Sequence, residues 1–292
     1  MSVLATPMVL PDWRRPARSL ASSVRQTLVR ANGVSSALWG APLTELARRL
    51  PSILRGGLLQ SLACYAPEET FAHRSGPAVM LIPGLFCTPG VLNRLGHELE
   101  RLGCDVHTPR SFPYFHGILA NCAPVERSVQ MLLNDLETLA RDHQVKEITL
   151  VGHSLGGVIA LATAAKAKDS ERQLPALRGV VLLATPLGGT PLAAALASVV
   201  PACRDISPGS SVLRQVRAAA DSILGIVSSG SDSVVPVTSQ QALAAATVCF
   251  DDFQHTDFYL GRGDRVARAA KAVLAAITAR HLPAEADATA AQ

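Results

Sequence analysis

The stretch LVGHSLGG, residues 150–157, contains one serine among three glycines. Gly152, Ser154 and Gly156 form the pattern G-x-S-x-G, with an apolar run before it and an alanine-rich run after it. Between a strand and a helix, this pattern turns the chain sharply, strains the serine backbone and lifts its hydroxyl clear of the sheet. The first amides of the following helix favour negative charge beside that hydroxyl. Ser154 is therefore a candidate nucleophile; the alternative is a strand-to-helix turn in which small residues allow close packing.

A serine hydroxyl becomes a good nucleophile when a base removes its proton, and a histidine held by a carboxylate is the usual base. His255, in FDDFQHTDFYL, follows the last predicted strand and precedes the final predicted helix. His116, in FPYFHG, is the competing candidate, and its alternative role is a pocket wall or a surface position. His153 lies inside the turn, where we expect its ring to point away from the Ser154 hydroxyl. The other histidines are interpreted as structural or solvated: His73, His97, His107, His143 and His281.

The candidate carboxylate is Asp232 in SSGSDSVVP, which directly follows the predicted strand ILGIVSS. That position puts Asp232 at the same sheet edge as Ser154. Other aspartates fit less well, because they precede the strand, lie too close to the histidine in sequence, or belong to an inserted segment: Asp221, Asp251, Asp252 and Asp205. Ser154, Asp232 and His255 also occur in the order serine, acid, histidine. These three residues predict a catalytic triad.

The elements that must position the triad alternate between strands and helices from residue 77 onward. Predicted strands are AVMLI (78–82), CDVHTP (104–109), EITLV (147–151), GVVLLA (179–184), ILGIVSS (223–229) and ATVCF (246–250). Helical spacing covers residues 89–103, 124–143, 158–168 and about 262–280. Parallel strands need crossover connections, and these are usually helices. The pattern predicts an α/β fold, a mostly parallel sheet with helices on both faces, over residues 75–282.

Two further segments accompany this domain. Residues 1–74 are predicted to form a helical extension with arginines mostly off the apolar stripes, typical either of helices packed on the main domain or of a helix resting on anionic lipid. Residues 187–221 are longer than a plain connection and include the apolar run PLAAALASVVP, which indicates either a cap over the site or an ordinary crossover helix. Residues 283–292 are predicted to be a disordered tail.

The region from about Ala78 to Arg280 resembles the α/β-hydrolase fold, and within it the bacterial lipases and esterases. LVGHSLGG matches their nucleophile turn, and VMLIPGLFCTPG matches the strand and turn that carry the oxyanion loop. ATPLGGTPLA and DISPGSSVL resemble two further elements, a TPxxGTP signature and a pGS-x-x-L segment near the lid. The resemblance implies that the amides of Leu85 and Leu155 form an oxyanion hole. Pro83 departs from the pattern, since it replaces a histidine and leaves the hydrogen bonding of the loop unexplained.

Some of these lipases carry a structural calcium near the catalytic histidine. Asp257 matches one ligand position, but Gly261 stands where a further side-chain ligand would be, and no counterpart exists for another aspartate. We therefore predict no calcium, and interpret Asp257 as a local cap or ion-pair partner. The six cysteines are far apart with no CxxC pair, so no zinc site and no other cofactor is predicted, and most are expected to be buried thiols.

Composition narrows the class of protein. The chain has 292 residues, 48% of them hydrophobic, which suits one large globular core. Its net charge of +4 comes from scattered arginines, and this gives little support to nucleic-acid binding. No apolar run is long enough to span a membrane, and the N-terminus lacks a signal-peptide pattern. We expect a cytoplasmic protein, with residues 1–74 as the part that would contact a membrane.

Three functional hypotheses follow. The first is a carboxylic-ester hydrolase of the lipase or esterase type, acting through an acyl-enzyme on Ser154. The second uses the same triad on a thioester, or transfers the acyl group to an acceptor other than water. The third is a non-catalytic relative of the hydrolases that acts as a binding protein. Acyl chain length and oligomeric state have no signal in the sequence.

Overall fold

The computed structural model describes residues 69–111, 121–243, 245 and 247–279. Within these residues six parallel strands form one sheet in the order β2-β1-β3-β4-β5-β6. The strands are β1 (Ala78–Ile82), β2 (Asp105–His107), β3 (Glu147–His153), β4 (Ala176–Leu183), β5 (Ile223–Ser229) and β6 (Thr247–Phe250). The predicted α/β fold with a mostly parallel sheet is confirmed.

The described helices connect these strands and continue past the last one. They are α1 (Asn93–Arg101), α2 (Val125–Asp142), α3 (Leu155–Lys168), α4 (Pro191–Leu196), α5 (Pro201–Asp205), α6 (Ser211–Ala218), α7 (Val237–Gln240), α8 (Asp257–Leu260) and α9 (Arg265–Ala279). Two short 3-10 turns, Pro89–Leu92 and Ala220–Ser222, precede α1 and β5. The predicted helix over residues 89–103 is thus a 3-10 turn followed by a shorter α-helix.

The sheet separates two hydrophobic cores, and β1 shows how a continuous apolar strand serves both. Val79 and Leu81 belong to the core that contains α1 and α9. Met80 and Ile82 belong to the core that contains α2, α3 and α6. Side chains alternate between the two faces of a strand, so a strand covered on both faces needs apolar residues at every position. This explains why AVMLI, without polar alternation, forms a central strand.

The segment between β4 and β5 contains α4, α5 and α6. Leu213 and Val216 of α6 are buried in the core beneath α3, which makes α6 the crossover helix of this connection. Asp205, at the end of α5, accepts a hydrogen bond from the backbone N–H of Val125 at 2.8 Å and so ties α5 to the start of α2. A cap role for the α4–α5 part stays a prediction.

Several sequence predictions fall partly or wholly outside the described residues. Residues 1–68, the FPYFHGILA loop (112–120) with His116, and the tail are outside, and residues 69–74 form no helix. In the part of the chain that is described, no helix combines the length and the apolarity needed to cross a bilayer. Among the cysteines there, three are buried, one is half-buried and one is exposed: Cys87, Cys104 and Cys203, then Cys122, then Cys249.

Candidate active site

Ser154 connects β3 to α3 at the centre of the sheet. Its backbone has φ 55° and ψ −124°, a conformation that is costly for a residue with a Cβ. The surroundings hold it there: its N–H donates to the Leu183 carbonyl at 2.8 Å, and its own carbonyl accepts from the Gly157 N–H at 3.0 Å. The side chain stands at the carboxyl end of β3 beside the first amides of α3. This is the strained turn that the G-x-S-x-G pattern predicts.

The two pattern glycines permit this turn because the chain has no room for a side chain at either position. A Cβ on Gly152 would lie 2.4 Å from the Gly157 Cα. A Cβ on Gly156 would lie 2.2 Å from the Ile82 carbonyl oxygen, on the neighbouring strand β1. Both contacts are to backbone, which cannot move aside without displacing β1 or α3. Close approach of backbone to backbone is therefore the role of both glycines.

Asp232 and His255 meet at the same edge of the sheet. Asp232 follows β5 and His255 follows β6, and these strands are neighbours. The Nδ1 atom of His255 donates to Asp232 Oδ2 at 2.7 Å, and the Asp232 side chain is fully buried. The other carboxylate oxygen accepts from the Val234 and Val235 amides at 2.8 and 2.9 Å. These donors hold both carboxylate oxygens in place, and the hydrogen bond to Oδ2 fixes the proton of the imidazole on Nδ1.

His153 joins the Ser154 turn to the His255 loop. Its Nε2 donates to the His255 backbone carbonyl at 2.8 Å, and the two rings are 4.7 Å apart between centroids. Burial, and then the nearness of His255, hold the pKa of His153 well below its ordinary value. The ring is thus neutral and serves as a hydrogen-bond donor to the histidine loop. The expected direction of this ring, away from the Ser154 hydroxyl, stays a prediction.

Within the described residues, no hydrogen bond joins the Ser154 hydroxyl to the His255 imidazole. The structure brings His255 to Asp232, and brings the His255 backbone to the residue next to Ser154. Hydrogen bonds to a nucleophile are often long in the absence of substrate and tighten when it binds. The structure thus joins His255 to Asp232, and a contact between Ser154 and His255 stays a prediction.

The loop after β1 packs directly on the serine. A Cβ on Gly84 would lie 3.0 Å from the Ser154 Cβ, so the Leu85 amide follows a residue in contact with the candidate nucleophile. Leu155, the other predicted donor, is the first residue of α3. The first amides of a helix have no partner inside the helix and are available to an anion. Of the two predicted oxyanion donors, Leu155 thus directly follows Ser154, and Leu85 directly follows Gly84 in the loop that packs on Ser154.

Asn121 holds this loop, and no sequence pattern identified it. Its Nδ2 donates to the Pro83 carbonyl at 2.9 Å and to the Gly84 carbonyl at 3.0 Å. The side chain is buried, and the backbone has φ 58°. Asn121 therefore supplies hydrogen bonds to a loop in which Pro83 has replaced the expected histidine.

Gln240 was also missed, and it supports the acid. Its Nε2 donates to Asp232 Oδ2 at 3.0 Å and to the Val235 carbonyl at 2.8 Å. Its Oε1 accepts from the Ser229 N–H at 2.8 Å, and the residue is completely buried. Gln240 therefore links the end of β5 to the turn that carries Asp232. A single glutamine at the end of a four-residue helix carries no pattern that would have identified it.

The competing aspartates have other partners or positions. Asp205 binds the Val125 amide, and Asp252 pairs with Arg268 through two hydrogen bonds. Asp221 lies in the 3-10 turn before β5, at the opposite end of that strand from Asp232. Asp257 accepts from the Gln254 amide at 2.7 Å and from Arg265 at 3.0 Å, the local pairing that we expected in place of a calcium ligand.

A cleft of about 410 Å³ lies at the opposite side of the sheet from Ser154, where the strands β4 and β5 begin. Its lining includes Leu177 and Gly179 near the start of β4, and Asp221 and Ser222 just before β5. Ser154 follows the carboxyl end of β3, so this cleft is separated from it by the length of the sheet. It is not the substrate pocket of the site described above.

Comparisons with known proteins bear on the fold of this chain. The model of the alpha/beta hydrolase family matches residues 79–291. No curated protein sequence matches this chain.

Solved structures with a similar fold include three proteins. Est1E from Butyrivibrio proteoclasticus, with ferulic acid bound, has a TM-score of 0.52 at 16% identity, over 70% of this chain and 90% of that chain. The lipase BlEst2 from Bacillus licheniformis has a TM-score of 0.51 at 13% identity, over 67% and 92%. A monoacylglycerol lipase from Paleococcus ferrophilus has a TM-score of 0.51 at 18% identity, over 70% and 97%. At these identities the likeness is one of fold.

Proposed function

Because this chain belongs to the alpha/beta hydrolase family, we propose that it is a serine hydrolase that cleaves carboxylic esters. Ser154 is the nucleophile, His255 the general base and Asp232 the residue that orients the base. The observation that carries the proposal is the 2.7 Å bond from His255 Nδ1 to Asp232, at the sheet edge where Ser154 occupies a strained turn. The esterase and lipase names of the three fold neighbours support the substrate class.

The first half of the reaction forms an acyl-enzyme. The Ser154 oxygen attacks the ester carbonyl while His255 Nε2 takes the hydroxyl proton, since Nδ1 already holds a proton against Asp232. Charge develops on the carbonyl oxygen, which the Leu85 and Leu155 amides stabilise. His255 then gives its proton to the leaving alcohol as the tetrahedral intermediate collapses.

The second half repeats these roles with water. His255 Nε2 takes a proton from water, the hydroxide attacks the acyl carbonyl, and the proton returns to the Ser154 oxygen as the acid leaves. Asp232 keeps its hydrogen bond to His255 and stabilises the imidazolium, and the Val234 and Val235 amides and Gln240 hold its oxygens in place. An acyl-thioester would react by the same steps, with a thiol as leaving group.

The test is hydrolysis of a nitrophenyl ester series from short to long acyl chains, alongside acyl-thioesters. Ser154→Ala serves as the blank, and Ser231→Ala is the matched control, because the exposed Ser231 hydroxyl binds the Asp251 carbonyl near the acid loop. We expect ester turnover and fluorophosphonate labelling in the wild type and in Ser231→Ala, and neither in Ser154→Ala.

Different results would change the assignment. Faster turnover of thioesters than of matched esters would identify a thioesterase. Labelling of Ser154 with acyl transfer to an added alcohol but little hydrolysis would identify an acyltransferase. A wild-type protein that is folded, yet neither labelled nor active on any member of the series, would be a binding protein, and the proposal would fail.

A further inference from the structure

The edge strand β2 carries polar residues where its neighbours carry apolar ones. All three of its residues, Asp105, Val106 and His107, are buried. Val106 packs in the core beneath α1 and α9, so Asp105 and His107, at the alternating positions, face the side of the sheet that carries α2. A strand covered on both faces is normally apolar throughout. An aspartate and a histidine on one face of β2 therefore need a specific explanation.

A second histidine completes a compact group with these two residues. His107 Nε2 donates to Asp105 Oδ2 at 2.9 Å, and His73 Nδ1 lies 3.4 Å from Asp105 Oδ1. One potential ligand atom from each of the three residues lies within 4.8 Å of the others. Zinc–ligand bonds of about 2.0–2.2 Å in a tetrahedron put ligand atoms roughly 3.4 Å apart. The ligand atoms of the three residues would thus need to move only a short distance towards one another to form a zinc site.

A third imidazole stands beside the group. His143 follows the end of α2, and its ring centroid is 5.6 Å from that of His73, which is itself 5.8 Å from that of His107. The His73 and His107 imidazoles and the Asp105 carboxylate form a donor set of nitrogen and oxygen, and His143 offers a further imidazole next to His73. Imidazole suits zinc and its first-row neighbours, whereas calcium and magnesium prefer oxygen alone.

We infer that His73, Asp105 and His107 bind a zinc ion, with water or His143 in the fourth position. Binding requires the His107 proton to move from Nε2, where it now faces Asp105, to Nδ1, so that the Nε2 lone pair coordinates the ion. The imidazole remains neutral in this change. The inference departs from the expectation of no metal site, which rested on cysteine spacing.

The position of the group makes this a structural site. His107 pairs with Met80 and Met80 with Leu150, whereas Ser154 lies four residues further along and two strands away. Four residues of strand span roughly 13 Å. The Arg74 amide also donates to Asp105 Oδ1 at 3.2 Å, so the chain around His73 already lies against β2. A zinc ion would fasten this segment to β2, the end strand of the sheet among the described residues.

The experiment measures zinc binding by the tag-free, full-length chain after treatment with a chelator and desalting. Calorimetric titration with zinc chloride is paired with thermal melting with and without zinc. The key variant is His73→Ala, because the His73 side chain is 66% exposed and its removal leaves the core intact. His97→Ala is the matched control, a half-exposed histidine that pairs with Glu69 at 2.6 Å outside the group. His107→Ala is a second ligand variant.

We expect one zinc ion per chain, a higher melting temperature with zinc, and no response to calcium. In the absence of zinc, His73→Ala should have the same melting temperature as the wild type. Its zinc affinity should fall by more than the roughly 10- to 100-fold that loss of an outer-shell partner costs. His97→Ala should bind zinc like the wild type. A wild type that does not bind zinc, or a His73→Ala variant that binds as tightly as the wild type, would overturn the inference.

Discussion

At the scale of single residues, the candidate site works through the constraint placed on one imidazole. Asp232 accepts from the Val234 and Val235 amides, from Gln240 and from His255, so the carboxylate has little freedom to turn. Its hydrogen bond to Nδ1 leaves the Nε2 lone pair of His255 for the proposed role as base. The strained Ser154 turn lies beside the histidine loop, which His153 holds by the carbonyl of His255.

The proposed triad predicts that substitutions of its residues lower kcat by large and unequal factors. Replacing Ser154 or His255 by alanine should lower kcat by about 10⁴- to 10⁶-fold, and Asp232→Asn by about 10⁴-fold, since the asparagine favours the wrong tautomer. Steady-state kinetics on a soluble nitrophenyl ester measures this. Equal activity in Asp232→Asn and the wild type would assign the acid elsewhere.

Asn121→Ala tests the support of the loop. The change removes both donors to the Pro83 and Gly84 carbonyls, and leaving buried carbonyls unpaired costs about 1–3 kcal/mol of unfolding free energy. The Leu85 amide should also lose its position, with kcat falling by about 10- to 100-fold and KM changing little. Asn134→Ala is the control, because Asn134 binds Arg172 on an exposed surface. A normal kcat in Asn121→Ala would exclude a role in positioning the oxyanion loop.

His153 predicts a pH dependence of stability. Burial keeps the folded-state pKa of His153 below that of the unfolded chain, so on acidification the unfolded state takes up a proton that the folded state does not. The free energy of unfolding should therefore fall below about pH 6.5, by at most about 1.4 kcal/mol per pH unit from this residue. Urea unfolding at pH 7, 6 and 5 should show a shallower decline in His153→Gln.

His97 is the opposite control for that measurement. The hydrogen bond to Glu69 raises the pKa of His97, so its contribution to stability is present at acid pH and is lost as pH rises through the folded-state pKa. His97→Gln should therefore make the decline on acidification steeper. The same slope in His153→Gln and the wild type would contradict the interpretation of His153 as a neutral buried donor.

At the scale of elements, the site depends on how closely β3 and α3 approach their neighbours. Gly156 meets the carbonyl of Ile82 on β1, so its substitution pushes two elements apart, whereas Gly209 has φ 77° and no atoms near its missing Cβ. Gly156 is thus required because there is no space for a side chain, whereas Gly209 is required because of its left-handed backbone conformation. The first concerns packing between elements, and the second concerns only the local backbone.

Gly156→Ala and Gly209→Ala should thus differ in size of effect. We expect Gly156→Ala to lower the free energy of unfolding by about 3 kcal/mol or more and to abolish fluorophosphonate labelling, because the turn moves. Gly209→Ala should cost about 1–2 kcal/mol, the penalty of a left-handed residue, and label normally. Urea unfolding and labelling of both variants measure this. Similar losses in the two would mean that backbone strain, not contact with β1, decides the turn.

At the scale of the whole molecule, the parallel sheet keeps the proposed active site apart from the proposed zinc site. All carboxyl ends of the strands lie at one edge, so Ser154, Asp232 and His255 gather there although they follow three different strands. Away from these carboxyl ends, Asp105 and His107 lie on β2, and His73 lies in the chain before β1. Loss of zinc should therefore change stability without changing the chemistry at Ser154.

Removal of residues 1–68 tests the N-terminal segment against the whole chain. If the apolar stripes in its sequence pack on the main domain, the shortened chain should lose solubility or melt earlier, because their removal would expose apolar surface. Thermal melting and liposome co-sedimentation of the full-length and shortened chains measure this. Unchanged melting and ester turnover with lost liposome binding would instead assign the segment to a lipid surface.

The sequence by itself determined the elements and the turn. Continuous apolar runs such as AVMLI and ILGIVSS predict the bounds of β1 and β5, since such strands are covered on both faces. G-x-S-x-G predicts the strained Ser154 turn. Each of these signals is local, because hydrophobic periodicity and backbone sterics act between residues close in the chain.

Only the tertiary structure decided which side chains support the site. Asn121 reaches the Pro83 carbonyl over a separation of 38 residues, and His153 reaches His255 over 102. The partners of such contacts depend on where separate strands and loops meet in space, and a single polar residue leaves no periodic trace in the sequence. His73 likewise joins β2 only because the chain before β1 runs along the edge of the sheet.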